Sequence, residues 1–295
     1  MMIRRVGIVA KHGLVAASEH VARLGAWLSE RGIDVVYEQE TLALAGAVGE
    51  HVRTATRDAL PCEADLIVVL GGDGTLLAMA ARIAKADRDI PILGVNFGSL
   101  GFLTEIRIDE LLPSLESTLS GSAAFEERAM LEADVYRNEA RADSRVVLND
   151  VVFTKGALSR MIELSVSVSG GFVTHVKADG LIVASATGST AYNLAAGGPI
   201  VHPGVDALVL TPIAPHTLTN RPVVIPGHAD VEVQRPHTGD GADDVFVTYD
   251  GQSGDTLHEG DVVRVRKSER VLRLVKASTR GYFEVLREKL KWGER

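Results

Sequence analysis

A glycine-rich turn that follows directly on an apolar run constrains the fold of this chain more than any other feature. The apolar run covers 64–70 and predicts a buried strand, and a helix is predicted over 76–85. Between them stands the turn Gly71-Gly72-Asp73-Gly74-Thr75. In an open parallel sheet, ligands bind at the carboxyl ends of the strands, and a helix N-terminus attracts anions. The turn therefore predicts a phosphate site with one carboxylate, Asp73, beside it.

Two well-known phosphate motifs do not match this turn. No lysine follows the last glycine, as a P-loop requires, and the glycine spacing is not that of a G-x-G-x-x-G dinucleotide fingerprint. A tight strand-to-helix turn in which Asp73 only caps the helix explains the same residues without a ligand. Both interpretations stay open on this motif alone.

The first third of the chain alternates strand and helix signals. Apolar runs separated by helical segments are typical of a parallel sheet covered on both faces, so the sequence predicts an α/β domain. The first helix is expected to begin near Ser18 and to stop at Gly32. The predicted strands are 6–10, 33–37, 64–70 and 90–96.

The pattern changes near Phe125 to short β-branched segments separated by turn residues, which predicts a second, mostly β domain. Helical spacing returns over 282–292 and predicts a C-terminal helix that returns to the first domain. We therefore expect an α/β domain over 1–124 with 270–295 packed on it, and a mostly β domain over 125–269. The predicted β segments are 130–136, 146–154, 161–168, 172–176, 181–185, 207–210 and 231–234.

Composition limits the partners and the compartment. The net charge of −8 over 295 residues argues against nucleic acid, since a polyanion is bound by clustered lysine and arginine. No apolar run reaches the ~18 residues of a membrane-spanning helix, so no membrane partner is expected. The single cysteine, Cys62, excludes an intramolecular disulfide and a cysteine-rich zinc site. We expect Cys62 to be a packing residue and the protein to be cytoplasmic.

A longer constellation runs from Lys177 to Pro199 and joins an apolar strand to a turn of small and hydroxyl-bearing residues. Thr187, Ser189 and Thr190 offer hydroxyl and N–H groups to polar ligand atoms. A Ser/Thr-rich turn with ordinary capping is the alternative. The density of Gly, Ser and Thr over so long a run favours a binding motif.

Asn149 and Asp150 interrupt a buried β run, which costs stability unless both side chains form bonds. A turn or a bulge is the alternative explanation. The histidines show no metal-ligand spacing, so no metal site built from protein side chains is predicted.

Taken together, these residues resemble bacterial NAD kinase over nearly the whole chain. Gly71-Gly72-Asp73-Gly74-Thr75 matches the family's acidic Gly motif, which diacylglycerol, sphingoid and phosphofructokinase-type kinases share. Asn149-Asp150 matches a short Asn-acid motif. The run from Asp179 to Pro199 matches a motif that is specific to NAD kinases. The resemblance implies transfer of the γ-phosphoryl group of ATP to the 2′-hydroxyl of the adenosine ribose of NAD, which gives NADP.

The resemblance implies that the domain over 1–124 binds nucleotide and that the mostly β domain over 125–269 binds NAD and forms the oligomer. It also implies roles for particular residues. Asp73 would accept the proton of the 2′-hydroxyl and orient its oxygen, while Gly72 and Gly74 would cradle phosphates. Asn149 and Asp150 would hold the adenosine, and Asp179 would accept a hydrogen bond from the nicotinamide carboxamide. The adenine pocket and the other positions implied around the dinucleotide are Thr190, Ala191, Tyr192, Asn193, Leu194, Ala195, Arg160, Lys177, Ala214 and Gln252.

A divalent metal, Mg²⁺ in the first instance, is implied as the companion of ATP, and a homotetramer or homodimer is implied as the assembly. The chain departs from the family pattern at three positions. Asp150 stands where glutamate is usual, Ala186 replaces a proline, and Ala195 replaces a serine. Loss of one hydrogen bond costs roughly 1 kcal/mol, so these departures bear on affinity and not on identity.

Two other functions compete with this interpretation. A lipid or sugar kinase would share only the acidic Gly motif and would not need the long motif after Asp179. A dinucleotide-binding sensor without activity would have no need of an acid at position 73. The product formed from ATP and NAD separates these possibilities.

Overall fold

The computed structural model describes residues 3–46, 52–98, 100–156, 161–217, 219–237, 245–276 and 280–292. The chain divides into two compact units, one formed by 1–127 with 272–295 and the other by 128–271. Both boundaries fall inside long strands that run from one unit into the other. Each unit has its own hydrophobic core.

The first unit is an α/β fold, as the sequence predicts. Its elements are β1 (Arg5–Ala10), α1 (Ser18–Ser29), β2 (Asp34–Glu38), α2 (Gln39–Ala45), β3 (Arg53–Ala55), α3 (Leu60–Glu63), β4 (Leu66–Leu70), α4 (Asp73–Lys85), β5 (Ile92–Asn96), β6 (Ile106–Arg107) and α5 (Leu111–Leu119).

The sheet of this unit is parallel, with the strand order β6-β5-β4-β1-β2-β3. Every residue of β4 is buried, as expected for a central parallel strand that is covered on both faces. In α4 the buried positions include Leu76, Ala80 and Ile83, which lie on one helical face and pack toward the sheet. The turn between β4 and α4 is thereby anchored at both ends.

The second unit is mostly β. Its elements, including the two strands that cross the boundary, are β7 (Ala124–Arg137), β8 (Ala140–Val147), β9 (Asp150–Lys155), β10 (Ile162–Val168), β11 (Gly171–Ala178), β12 (Gly180–Ser185), α6 (Tyr192–Ala195), β13 (Ala207–Ile213), β14 (Val223–Pro226), β15 (Val231–Gln234), β16 (Val245–Tyr249), β17 (Ser253–Leu257) and β18 (Val262–Lys276).

Two antiparallel arrangements make up this unit. One is a six-stranded sheet in the order β14-β13-β12-β9-β16-β17. The other runs β11-β10-β15-β18, with β7 pairing to both β18 and β8. Side chains from both share one core, in which Phe153 of β9 is fully buried. The α/β unit, the mostly β unit and the C-terminal helix confirm the predicted fold class.

The C-terminal helix α7 (Tyr282–Leu290) belongs to the first unit. Just before it, Arg280 Nη2 lies 2.7 Å from Glu110 Oε1. From the helix itself, Glu288 Oε1 accepts a hydrogen bond from Arg107 Nη2 at 2.9 Å. These ion pairs and the buried Val285 and Leu286 fix the returning helix as the sequence predicts.

Two expectations need correction. Cys62 is exposed and is not a packing residue, because the short helix α3 buries Leu60 and Pro61 instead. The segment 146–154 is not one β run but the end of β8 and the start of β9, with the chain turning at Leu148 and Asn149. Of the helices within the described ranges, none has the length and apolar character that a bilayer-spanning helix needs.

Candidate active site

The glycine turn stands at the carboxyl end of β4 and opens α4, whose first residue is Asp73. Gly72 is the extended residue before the helix, with φ −104° and ψ −176°. Within the described residues, no side chain caps this helix. A Cβ added at Gly72 or at Gly74 would meet nothing within 4 Å, so the backbone here faces open space. An anion can therefore approach the first N–H groups of α4 closely.

The carboxylate of Asp73 does not cap its own helix, because it bonds to the loop after β5. Its Oδ2 accepts the N–H of Phe102 at 2.9 Å. Its Oδ1 accepts the N–H of Leu103 at 3.1 Å, and both the N–H and the hydroxyl of Thr104 at 3.0 and 2.9 Å. The side chain is half-buried. Four donors therefore fix this acid in one orientation.

The sequence motifs do not include this loop, although its two glycines could have indicated that it lies near the glycine turn. Gly98 and Gly101 follow β5, the parallel neighbour of β4, at the same edge of the sheet. At Gly101 a Cβ would collide with Asp73 Oδ1 and with Thr104 Oγ1. Glycine is needed there so that the loop can close on the carboxylate.

In the second unit, Asn149 and Asp150 are held by a carboxylate that the sequence motifs do not contain. Asp250 Oδ1 accepts the N–H groups of Asn149 and Asp150 at 2.7 and 3.1 Å, and its Oδ2 accepts the N–H of Leu148 at 2.8 Å. The N–H of Asp250 in turn donates to the carbonyl of Asp150 at 3.0 Å. The sequence could have indicated Asp250 only through the pair Asp250-Gly251, which is typical of a turn and follows β16.

Burial governs the charge of these two acids. Desolvation, together with the charge of Asp250, raises the pKa of Asp150 to about 7. Burial also raises the pKa of Asp250, while its three backbone donors act in the opposite direction. Near neutral pH, Asp150 therefore exists both as a carboxyl that can donate and as a carboxylate that only accepts.

Within the long motif, the residues around Ser185 and Gly188 contact the turn at Leu148 and Asn149. Ser185 Oγ donates to the carbonyl of Leu148 at 2.6 Å and accepts the N–H of Gly188 at 3.0 Å. The N–H of Ser185 donates to the carbonyl of Asn149 at 2.8 Å. A Cβ at Gly188 would collide with that same carbonyl. The second and third sequence motifs thus form one structure.

Several polar side chains of this motif form their hydrogen bonds within the protein. Asn193 is fully buried, and its Nδ2 donates to the carbonyls of Ser189 and Pro199 at 2.9 and 3.0 Å. Its Oδ1 accepts the hydroxyl of Thr211 at 2.6 Å. The hydroxyl of the buried Ser189 donates to the Ala186 carbonyl at 2.7 Å and accepts the N–H of Val201 at 2.9 Å. For these two side chains, the structure favours the alternative of an internally capped turn.

Other positions of the motif remain open to a ligand. The side chain of Tyr192 is 44% exposed. Ala195 is exposed, whereas Ala191 and Leu194 are half-buried. Thr190 is also half-buried, and its hydroxyl donates to the carbonyl of Thr187 at 3.2 Å.

A third group of predicted residues lies where β11 passes into β12. Asp179 Oδ1 is 2.9 Å from Lys155 Nζ, and the N–H of Asp179 donates to the carbonyl of Ile213 at 3.0 Å. This places Asp179 beside Ala214, which has a positive φ of 43°. Lys177 is exposed and pairs with Glu163 at 3.4 Å.

The Asp179 group and the Asp150 group stand at opposite ends of one strand pair. In the β9–β12 ladder, Asp150 is opposite Ala184 and Thr154 is opposite Gly180. Four residues of strand span about 13 Å, so the two groups are separated by roughly that distance. Gln252 is exposed two residues beyond Asp250. Arg160 lies outside the described residues.

No cluster of three or more His, Cys, Asp or Glu side chains that could hold a metal ion occurs in the described part of the chain. Mg²⁺ is commonly bound through one or two carboxylates together with substrate phosphates and water. The open anion-binding turn at Gly72 and Gly74 fits a metal that arrives bound to the phosphates of a nucleotide.

An acidic glycine turn at the carboxyl end of a parallel strand, in a sheet flanked by helices, defines the first unit as an α/β nucleotide-binding fold. Comparisons with known proteins cover parts of both units. The model of the ATP-NAD kinase N-terminal domain matches residues 6–123, and that of the ATP-NAD kinase C-terminal domain matches residues 148–277. The chain therefore belongs to the ATP-NAD kinase family.

Individual relatives agree with this assignment. The chain is 49% identical over 272 residues to an NAD kinase of Geotalea daltonii, covering 91% of this chain and 92% of that protein. It is 48% identical over 293 residues to an NAD kinase of Syntrophotalea carbinolica, covering 99% and 100%.

Two solved structures share the fold. An NAD kinase from Archaeoglobus fulgidus in complex with ATP aligns with a TM-score of 0.76 at 25% identity, covering 96% of this chain and 99% of that one. Yeast NADH kinase complexed with NADH aligns with a TM-score of 0.89 at 24% identity, covering 100% and 89%. The likeness to the yeast protein is one of fold.

Proposed function

We propose that this chain transfers the γ-phosphoryl group of ATP to the 2′-hydroxyl of the adenosine ribose of NAD. The O–P bond to the ribose forms as the bond between the γ-phosphorus and the bridging oxygen breaks, and NADP and ADP are released. The hydroxyl proton passes to a base. The observation that carries the proposal is the Asp73 carboxylate, fixed by four donors beside an open glycine turn.

Asp73 is the proposed base. Phosphoryl transfer depends mainly on positioning and charge stabilisation, so one oriented acid and a metal on the triphosphate suffice. Gly72 and Gly74 are proposed to hold phosphates through backbone N–H groups at the start of α4. Mg²⁺ would be part of the substrate, bound to ATP, and would supply positive charge next to the phosphates. Metal dependence is therefore part of the proposal.

Residues of the second unit are proposed to bind NAD. Asn149 and Asp150 hold the adenosine, and Asp179 accepts from the nicotinamide carboxamide. The separation of roughly 13 Å along β9 supports this division, because a dinucleotide has two ring systems to place. Positions proposed to line the adenine and the rest of the dinucleotide are Thr190, Ala191, Tyr192, Leu194, Ala195, Lys177, Ala214, Gln252 and Arg160. Asn193 is proposed to hold this loop from inside.

Assembly and location complete the proposal. Phe172 and Val173 are 60% and 47% exposed on the edge strand β11, and Val223 and Val224 are 45% and 51% exposed on the edge strand β14. Exposed apolar edge strands favour association, so we propose a homodimer or homotetramer. Light scattering on the purified protein measures this directly. A cytoplasmic location is consistent with one unpaired, exposed cysteine.

The proposed activity is tested with a panel of acceptors and donors. Incubation with MgATP and NAD is expected to yield a product that an NADP-specific dehydrogenase reduces. Diacylglycerol, a sphingoid base and fructose 6-phosphate serve as competing acceptors. Phosphorylation of one of these alone would establish a lipid or sugar kinase. Binding of NAD without any product would establish a sensor.

A further inference from the structure

We propose that Asn96 and Thr104 form a hydrogen-bond relay that orients the Asp73 carboxylate and reserves its Oδ2 for the substrate hydroxyl. The inference rests on the proposed function, in which Asp73 receives the proton of that hydroxyl. It assigns two positioning residues that neither the glycine turn nor the other sequence motifs contain.

The first step of the relay fixes the amide of Asn96. The N–H of Gly98 lies 2.5 Å from Asn96 Oδ1. A backbone N–H can only donate, so the amide oxygen must face Gly98. The amide nitrogen is thereby turned toward Thr104, 3.0 Å from its Oγ1.

The second step fixes the hydroxyl of Thr104. Asn96 Nδ2 is a donor, so Thr104 Oγ1 must accept from it. The single hydroxyl hydrogen is then free for the other neighbour, Asp73 Oδ1, at 2.9 Å. Thr104 is fully buried and Asn96 is 7% exposed, so water does not compete for these bonds.

The third step concerns how many hydrogen bonds each carboxylate oxygen of Asp73 accepts. Oδ1 of Asp73 already accepts three hydrogen bonds, from Leu103 N–H and from the N–H and hydroxyl of Thr104. Oδ2 accepts one, from Phe102 N–H. Each carboxylate oxygen has about two lone-pair sites, so Oδ1 is saturated and Oδ2 retains one. An incoming hydroxyl therefore donates to Oδ2.

The relay predicts which kinetic constant changes when it is broken. Without the Thr104 hydroxyl, the carboxylate keeps its three backbone donors but loses the side-chain donor that holds Oδ1. Small displacements of a reacting group cost up to ~100-fold in rate, so we expect kcat to fall about 10- to 100-fold in Thr104→Val. KM for NAD and KM for ATP should stay close to wild type, because neither substrate contacts Thr104.

The experiment compares steady-state kinetics and thermal unfolding of Thr104→Val, Thr104→Ser and Asn96→Leu. Serine keeps the hydroxyl and should restore most of kcat. Asn96→Leu releases the Thr104 hydroxyl without removing it, so the loss should be smaller than in Thr104→Val. The double variant should be no slower than Thr104→Val alone, because both changes break one relay. Thr118→Val, which removes another buried hydroxyl that donates to the Ser114 carbonyl, is the matched control and should keep kcat.

The outcomes separate failure of the relay from failure of the proposed function. A wild-type protein that forms no NADP from MgATP and NAD would overturn both. An active wild type with unchanged kcat in Thr104→Val would overturn the relay alone. Equal losses in Thr104→Val and Thr104→Ser, or fully additive losses in the double variant, would also overturn it. Should Thr104→Val fail to fold, unchanged kcat in Asn96→Leu would overturn the relay in its place.

Discussion

Asp250 Oδ1 lies 2.7 Å from the backbone nitrogen of Asn149, although these two residues are 101 positions apart in the chain. The same carboxylate also accepts from Leu148 and Asp150, so it organises the whole turn that carries the Asn-acid pair. One half-buried acid thus shapes the backbone at the proposed adenosine site.

Replacing Asp250 tests this role. Asp250→Ala leaves three N–H groups without an acceptor, and each unsatisfied buried group costs about 1–3 kcal/mol. Asp250→Asn keeps one acceptor oxygen and should lose less stability. Urea unfolding measures both, with the exposed Asp230→Ala as the control that should match wild type. Equal stability of Asp250→Ala and wild type would contradict the assignment.

The buried Asp150 predicts that stability depends on pH. Its pKa is raised from 3.8 to about 7, so the unfolded chain loses this proton at lower pH than the folded chain does. Unfolding free energy should therefore fall as pH rises from about 4 to 7 and level off above, by roughly 4 kcal/mol at most. The raised pKa of Asp250 acts in the same direction.

Asp150→Asn removes the titrating group and should flatten this dependence. The variant should gain stability over wild type at pH 8 and gain little at pH 4. Urea unfolding across this pH range provides the comparison. Parallel curves for the two proteins would show that Asp150 does not carry the effect.

Gly101 tests whether the loop must close on Asp73. Gly101→Ala places a methyl group against Asp73 Oδ1 and Thr104 Oγ1, so the loop must move away. We expect a lower melting temperature and a loss of kcat of about 10-fold or more, as for other small misplacements of a reacting group. At Gly98 a Cβ meets only Asn96 Oδ1 at 3.8 Å, so Gly98→Ala should keep the wild-type melting temperature. Two variants with the same melting temperature would refute the packing argument.

The neighbours Asn193 and Tyr192 should behave differently. Asn193→Ala strands two carbonyls and the Thr211 hydroxyl in the interior, at a cost of about 1–3 kcal/mol for each group left unpaired. Tyr192→Ala removes an exposed ring and should leave stability unchanged while raising KM for NAD. Thermal unfolding and NAD titration of both variants distinguish a structural residue from a binding residue. A stable Asn193→Ala that only loses NAD affinity would reverse the assignment.

Much of the fold follows from local patterns in the sequence. Buried parallel strands such as β4 are continuous apolar runs, and the pattern predicts them close to their observed bounds. The long strand β18 escapes prediction, because the polar run from Lys267 to Arg270 interrupts its apolar/polar alternation. The turn between β7 and β8 also escapes prediction, because Glu139, and not glycine, takes the second left-handed position after Asn138.

Only part of the candidate site could be predicted from the sequence. Asp73 stands out because glycines surround it, and Asn149 and Asp150 stand out because they interrupt an apolar run. Their partners do not, since Thr104 and Asp250 lie 31 and 100 positions away in the chain and meet these residues only after folding. Sequence spacing cannot reveal which ordinary Thr or Asp completes a site of this kind.

The most direct test of the central claim follows the γ-phosphoryl group itself. Wild type and Asp73→Asn are incubated with NAD, Mg²⁺ and ATP labelled at the γ-phosphorus, and the position of the label in the product is determined by NMR. Wild type should place the label on the 2′-oxygen of the adenosine ribose, and Asp73→Asn should be slower by about 10²–10⁴-fold, the usual contribution of a general base. Calorimetry should find nearly unchanged NAD affinity in the variant. Label at another position, or near-normal turnover in Asp73→Asn, would contradict the account.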